Sequence, residues 1–480
     1  MQKAADRPAE PRPVAVWRQR AFVALWSAHT VSQFGTQITF FVIPVLALTT
    51  LSATPGQLGL VSAAETLPFL LVGLPAGALL DRWDRRRVMI IADLGRAAAI
   101  CVLPLGYAAG VLGVPLLCAV AFVIGLFTVF FDIADQALLP SVVSRAQTAD
   151  GNSRLEFSRS AAELAGPSLG GLLLQVLAAP LILLADAVSY LLSALLLRAV
   201  RTDRAVRTDR AVSADRAVSA VSADQTVRAD QSDRTDRGAR HQPAAVKTAP
   251  ETAPETSSET APAPRMRTRI AEGLRFVLTH RTLRPLALAT AISNLAGLGG
   301  ALSALLTAYA FHDLRLSPGG LGLALTVGNA GALLGAVATG RLIRWLGLGR
   351  VLIVAKSLPG AAVVLLAAAA PGRAMATVAV ATGVMACGIT VYNIGQVSLR
   401  QAVTPTGLQA RMNASIRFLI WGTLPLGALA GGLLGSWIGL RPALWLVAGT
   451  SLLSCLPLLL AGEVRALRVI PAGPGASGER

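Results

Sequence analysis

The stretch Gly77-Ala78-Leu79-Leu80-Asp81-Arg82-Trp83-Asp84-Arg85-Arg86-Arg87 decides how the rest of the chain is read. It is very short, strongly basic, and lies between two long apolar runs, so it reads as a hairpin joining two membrane helices. Working outward from it, twelve apolar runs emerge, near 21–51, 56–80, 88–111, 114–138, 155–178, 180–199, 284–310, 318–341, 350–370, 375–399, 412–437 and 441–461. Crossing about 30 Å of hydrocarbon takes roughly 20 residues of helix at 1.5 Å each. Lipid offers backbone polar groups no partner, so each run must be helical. The fold class expected is an all-α polytopic membrane protein.

Composition agrees. Of 480 residues 54% are hydrophobic and only 14% charged, against about a quarter charged in soluble domains. Mean hydropathy is +0.60. The net charge of +17 raises the question of nucleic acid, and its distribution answers it. Of 43 Lys and Arg, only Arg315, Arg373 and Arg441 fall in loops that an inside N-terminus would place outside. The others sit mostly at the termini, in the middle loop, and at Arg82–Arg87, Arg145, Arg341–Arg350 and Arg400–Arg411. This is the positive-inside pattern, which puts both termini and the middle loop in the cytoplasm and leaves no role for nucleic acid. Cys101, Cys118, Cys387 and Cys455 sit singly in apolar runs and read as structural. No cleavable signal is expected, because residues 1–20 are polar and the first apolar run exceeds an h-region.

In chain order, the first run carries His29, Gln33 and Gln37 at i, i+4, i+8, one polar face that suits a wet cavity or interhelical hydrogen bonds. The second holds Glu65, a proton-carrier candidate or a neutral acid at a helix contact. The third holds Asp93 and Arg96, spaced to meet on one face. The fourth ends with Thr128, Asp132, Asp135 and Gln136 on a common face; Asp135 reads as a gate partner of Arg85 or Arg86, and Asp132 as gate or protonation site. The fifth, starting near Leu155, contains Glu156, Arg159 and Glu163 before Gly166-Pro167-Ser168-Leu169-Gly170-Gly171. Small residues admit close backbone approach, and proline frees a carbonyl.

Residues 200–265 change character. Near-repeats of six at 201–206, 207–212 and 213–218 give way to a Pro/Glu/Thr-rich tract, which reads as a disordered linker. The second half then mirrors the first. Gly340–Val351 aligns with Gly77–Val88 at an offset of 263, and Asn413, Gly427, Gly431 and Gly432 follow Asn152, Gly166, Gly170 and Gly171 at 261. Such offsets are the trace of two six-helix halves related by a parallel repeat. The copy has Arg344 in place of Asp81, Ala428 in place of Pro167, and no carboxylate inside a second-half helix. Its polar positions include Ser293, Asn294 and Ser303 on the seventh run and Thr390, Asn393, Gln396 and Arg400 on the tenth.

The small residue, helix-end Asp and basic cluster of Gly77–Arg87 resemble the loop signature of the major facilitator superfamily. Gly166-Pro167-x-x-Gly170-Gly171 resembles the antiporter motif of its drug exporters, although the upstream glycines of the longer motif are absent. Phe131-Asp132-x-Ala134, Leu139-Pro140 and Asn152 resemble the branch of enterobactin-type exporters and macrolide-efflux permeases. The resemblance covers both halves. It implies 12 transmembrane helices in two pseudo-symmetric six-helix halves, with helices one, four, seven and ten lining a cavity, and Asp81 latching onto helix eleven.

The expectation is therefore a monomeric, proton-coupled efflux antiporter that exports a small molecule by alternating access, with an importer of a small metabolite as the alternative. Asp132, Glu163 and Glu65 are the proton-coupling candidates. Gly77, Asp81, Arg85, Arg86 and Asp135 form the cytoplasmic gate, and Gly166, Pro167, Gly170 and Gly171 the antiporter-type motif. His29, Gln33, Gln37, Asn294, Asn393 and Gln396 line the cavity. The domains expected are a disordered lead at 1–20, a six-helix bundle at 21–199, the linker at 200–265, an amphipathic interfacial segment at 266–282, a second bundle at 283–461 and a cytoplasmic tail at 462–480. No metal-ligand spacing or phosphate loop is present, so neither a cofactor nor an enzymatic activity is expected, and ATP is excluded as direct energy source.

Overall fold

The computed structural model describes residues 16–80, 83–144, 147–200, 275–297, 300–405 and 409–469. The expected segments at 1–20, 200–265 and 266–282 lie largely outside these residues, as does most of 462–480. The described end of the interfacial segment is helical at 275–279, with Val277 buried against Leu283, Ala287, Met412 and Ile416.

Twelve helical spans form two halves. The first comprises α1 (Arg20–Leu51), α2 (Pro55–Leu80), α3 (Arg85–Ala108), α4 (Val114–Val142), α5 (Thr148–Val176) and α6 (Ala179–Ala199). The second comprises α7a (Leu283–Ala296) with α7b (Ala301–His312), α8 (Pro318–Leu346), α9 (Leu348–Ala367), α10 (Ala374–Val403), α11 (Gln409–Trp437), and α12a (Leu440–Leu453) with α12b (Leu456–Leu460). Local chemistry sets several boundaries. Prolines open α2, α4, α6 and α8, where a missing N–H has no intrahelical partner to lose. Asp84 caps α3 by accepting from the Arg87 N–H, and Ser317 caps α8 by accepting from Gly320 at 3.1 Å. Where the first half has this capped hairpin, the second turns on Gly347 alone, whose φ of 81° suits glycine.

Three boundaries differ from the sequence reading. α5 starts at Thr148 rather than near Leu155, because its first two turns carry Asp150 and Arg154 as an exposed ion pair outside any apolar run. The seventh span is broken between Ala296 and Ala301, and the twelfth between Leu453 and Leu456. Among the described residues, ten spans are long and apolar enough to cross a membrane by length and composition. The other two are α5 and α11, the equivalent helices of the two halves.

One face of the molecule carries the α2–α3 hairpin and is called here the basic face; the α1–α2 and α7–α8 turns lie on the opposite face. The apolar packing differs between them. Toward the opposite face, one core runs across both halves, joining Leu46, Leu58 and Leu183 to Leu302, Val378 and Leu444. Toward the basic face the core divides. One cluster, with Phe22, Met89 and Phe131, belongs to the first half, and another, with Leu286, Leu352 and Tyr392, to the second.

Candidate functional site

The halves meet along two seams, α2 with α11 and α5 with α8. Gly166 and Gly170 admit Gln37 and Phe41 of α1; a Cβ on Gly166 would lie 2.5 Å from that of Gln37. Gly171 faces across the seam, where a Cβ would stand 2.6 Å from the Pro318 carbonyl. The copy repeats this arrangement. Gly427 and Gly431 pack on α7, and Gly432 crosses to α2, where a Cβ would stand 2.7 Å from the Gly59 Cα. Pro167 has no N–H to offer the Glu163 carbonyl one turn back. Asn329 of α8 donates to that carbonyl at 3.0 Å, beside Thr326, which donates to the Leu164 carbonyl at 2.8 Å. The second seam closes through Gly56, whose N–H donates to Ser436 Oγ at 2.7 Å, and through Phe69 stacked on Trp421 at 4.2 Å.

The interior of the first half is built from charge. α1 and α4 run antiparallel, which brings His29 against Asp135: Nδ1 lies 2.9 Å from Oδ2, with both residues buried. His29 Nε2 and Asp135 Oδ1 are buried without hydrogen-bond partners. Asp132, one turn earlier, is half-buried with Arg96 and Arg159 as its nearby cations. Arg96 and Asp93 form a fully buried ion pair, with Ser32 donating to Asp93 at 3.4 Å. The Arg96 guanidinium also lies over the rings of Phe131 at 4.3 Å and Tyr190 at 4.5 Å. The Oε1 of Glu65 is buried with no partner.

The expected pairing of Asp135 with Arg85 or Arg86 is not the one observed. Arg85 donates to the Ala137 carbonyl at 2.8 Å, and Arg86 to the carbonyls of Leu197 and Arg198 at the end of α6. The Leu197 and Arg198 carbonyls lie in the last turn of α6 and carry the negative end of its dipole, so they draw Arg86. Asp135 is buried deeper and turned to α1. Glu163 is about half exposed and paired with Arg159 at 3.1 Å. Gly77 falls in the last turn of α2, and Asp81 lies outside the described residues. Gln33 and Gln37 are half-buried and make no hydrogen bond among the described residues.

In the second half, Gln396 is buried and donates to Asn393 Oδ1 at 3.2 Å. Asn294 and Asn393 line a cavity between α7a, α9 and α10. Two charged groups were missed by the sequence reading. Asp186 on α6 accepts from Thr39 and, at 2.7 Å, from Ser189, in space left by Gly35. Lys356 on α9 is buried beside Tyr392. Both were detectable, since an ionisable residue within an apolar run signals function or pairing. Among the described residues, no group of three His, Cys, Asp or Glu side chains could hold a metal ion.

A family model, the Major Facilitator Superfamily, matches residues 25–424. The chain belongs to that superfamily. Its members are membrane transporters rather than enzymes, and the chain is a multi-pass membrane protein. It is 26% identical over 186 residues to the superfamily transporter YkuC of Bacillus subtilis, covering 39% of this chain and 43% of that one. It is 28% identical over 191 residues to the multidrug efflux pump Tap of Mycobacterium tuberculosis, covering 39% and 45%. The match thus spans less than half the length of these curated relatives. A solved bacterial homologue of the iron transporter ferroportin, in an inward-facing state, superposes with a TM-score of 0.65 at 18% identity over 93% of this chain and 99% of that one.

Proposed function

We propose that this superfamily member is a proton-coupled antiporter that exports a small molecule across the cytoplasmic membrane, with the basic face and both termini in the cytoplasm. The observation that carries this reading is the buried His29–Asp135 contact, with Asp132 one turn away, in a half whose core separates from its partner's toward the basic face. With that face cytoplasmic, this is the inward-facing conformation. Cargo would enter between the halves from the cytoplasm, and the acid–imidazole cluster would release its proton there. Rocking about the two seams would then expose cargo outside and let the cluster take up a proton.

Asp132 is the first proton carrier in this reading. Glu163 follows it, because an exposed ion pair already satisfies its carboxylate, and unpartnered Glu65 is third. Arg85 and Arg86 rest on backbone carbonyls of α4 and α6, in their own half, here. In the outward-facing state the gate formed by them, Gly77, Asp81 and Asp135 would close, with Asp81 at the N-terminal end of α11. The multidrug efflux pump among the relatives and the glycine seam of α5 support export.

Proteoliposomes carrying a proton gradient, exposed to a panel of fluorescent and radiolabelled compounds, test this. Wild-type protein should move at least one compound against the direction of proton flow, and Asp132→Asn should reduce that rate at least tenfold. Transport indifferent to the gradient, or persisting when Asp132, Glu163 and Glu65 are all amidated, would sink the reading.

A further inference from the structure

We infer that the cavity beside Lys356 is a subsite for an anionic group of the cargo, a carboxylate or phosphate, with room for one aromatic ring. The word cargo rests on the transport reading above; the binding site itself does not.

Lys356 is 5% exposed. Its ammonium lies 4.0 Å from the centroid of the Tyr392 ring, and among the described residues no carboxylate or hydrogen-bond acceptor meets it. None can come from a neighbouring helix, since the second-half spans contain no Asp or Glu. A buried ammonium without a counter-ion is expensive, and a single cation–π contact offsets only part of that cost. An arriving anion would remove that deficit.

The surroundings are built to receive one. The cavity measures about 150 Å³ and is lined by Thr290, Asn294, Lys356, Tyr392 and Asn393. A cavity of about that volume can hold benzene. Thr290, Asn294 and Asn393 give this lining its polar side chains. The Tyr392 hydroxyl is occupied elsewhere, with Thr290 at 3.1 Å and the Leu286 carbonyl at 3.3 Å, which holds its ring in place under the ammonium. Further along α10, Nε and Nη1 of Arg400 are also buried without partners. This wall of the second half is basic.

The internal repeat sharpens the point. At the 263-residue offset Lys356 falls on Asp93, and at 261 Tyr392 falls on Phe131. The first half therefore supplies both charges of its buried pair over an aromatic ring. The second supplies only the cation and the ring.

The test uses the full chain in phosphatidylcholine nanodiscs, which contain no anionic headgroup, with no ion gradient. Thermal unfolding is followed while benzoate, inorganic phosphate, benzamide or benzylamine is titrated. Benzoate or phosphate should raise Tm saturably, with benzamide and benzylamine inert, and whichever anion acts identifies the group. Lys356→Gln should weaken the response at least tenfold, and Lys356→Arg should retain it. Asn393→Asp, which adds a carboxylate to the same cavity, should abolish it even if Lys356→Gln fails to fold. Equal shifts from benzamide and benzoate, no response to either anion, or an undiminished benzoate response in Asn393→Asp would overturn the inference. Proton-driven transport is a separate measurement, so one idea can fail without the other.

Discussion

Each half of this transporter buries a cation on its third helix, and the two are solved differently. Arg96 is held by Asp93 and lies between two rings; Lys356 has one ring and no carboxylate. A buried ion pair is nearly self-contained, because each charge answers the other's desolvation. A lone ammonium in a cavity leaves its field open to whatever enters. The same repeat thus yields a closed, structural charge in one half and an open, receptive one in the other, while the titratable acids His29 faces remain in the first.

Six substitutions can break or sharpen this contrast. Asp93→Leu orphans Arg96 and should cost about 3–5 kcal/mol, read as lost chemical or thermal stability in detergent; adding Arg96→Met should recover most of it. A wild-type melting curve for Asp93→Leu would show that the pair is not structural. Lys356→Met orphans nothing, so it should be neutral or stabilise by about 1–4 kcal/mol, the opposite sign, while removing the benzoate response. Destabilisation there would mean that the second half is the closed one. At the seam, where the halves are alike, Gly171→Leu and Gly432→Leu should each cost the closed arrangement about 1–3 kcal/mol by overpacking. The labelling rate of a cysteine placed at Thr326, in a background lacking native cysteines, should rise in both. Asn329→Ala should cost about 0.5–1.5 kcal/mol, the net worth of one hydrogen bond, and Gly171→Leu should mask it, since both act on one seam.

The sequence made the spans legible because roughly 20 apolar residues leave little alternative to a membrane helix. It showed the repeat because Gly166, Gly170 and Gly171 recur as Gly427, Gly431 and Gly432, and the structure gives both sets the same duties. It misplaced the start of α5, since a helix that leaves the apolar layer exchanges its hydrophobic signal for charge. Gly297 and Gly300 flank the break in the seventh span, where glycine weakens a helix. The His29–Asp135 contact was out of reach, because two residues more than a hundred apart meet only once α1 and α4 are placed side by side. Lys356 and Asp186 were readable as isolated charges in apolar runs. Their partners, a ring for one and hydroxyls for the other, were not.

The amide of Asn329 on the carbonyl of Glu163 has a consequence for how the molecule moves. Proline makes α5 depend on a donor that belongs to the other half. While the opposite face is sealed, that donor is in place and the bend at Pro167 is fully bonded. In the alternating-access cycle proposed above, the carbonyl would lose its protein donor as the halves part there, and water arriving in the mouth would replace it. Wetting and opening would then be one event at this point, because a dry, half-parted seam would leave that carbonyl unpaired. The backbone of a single helix would thereby work against lingering between the two states of that cycle.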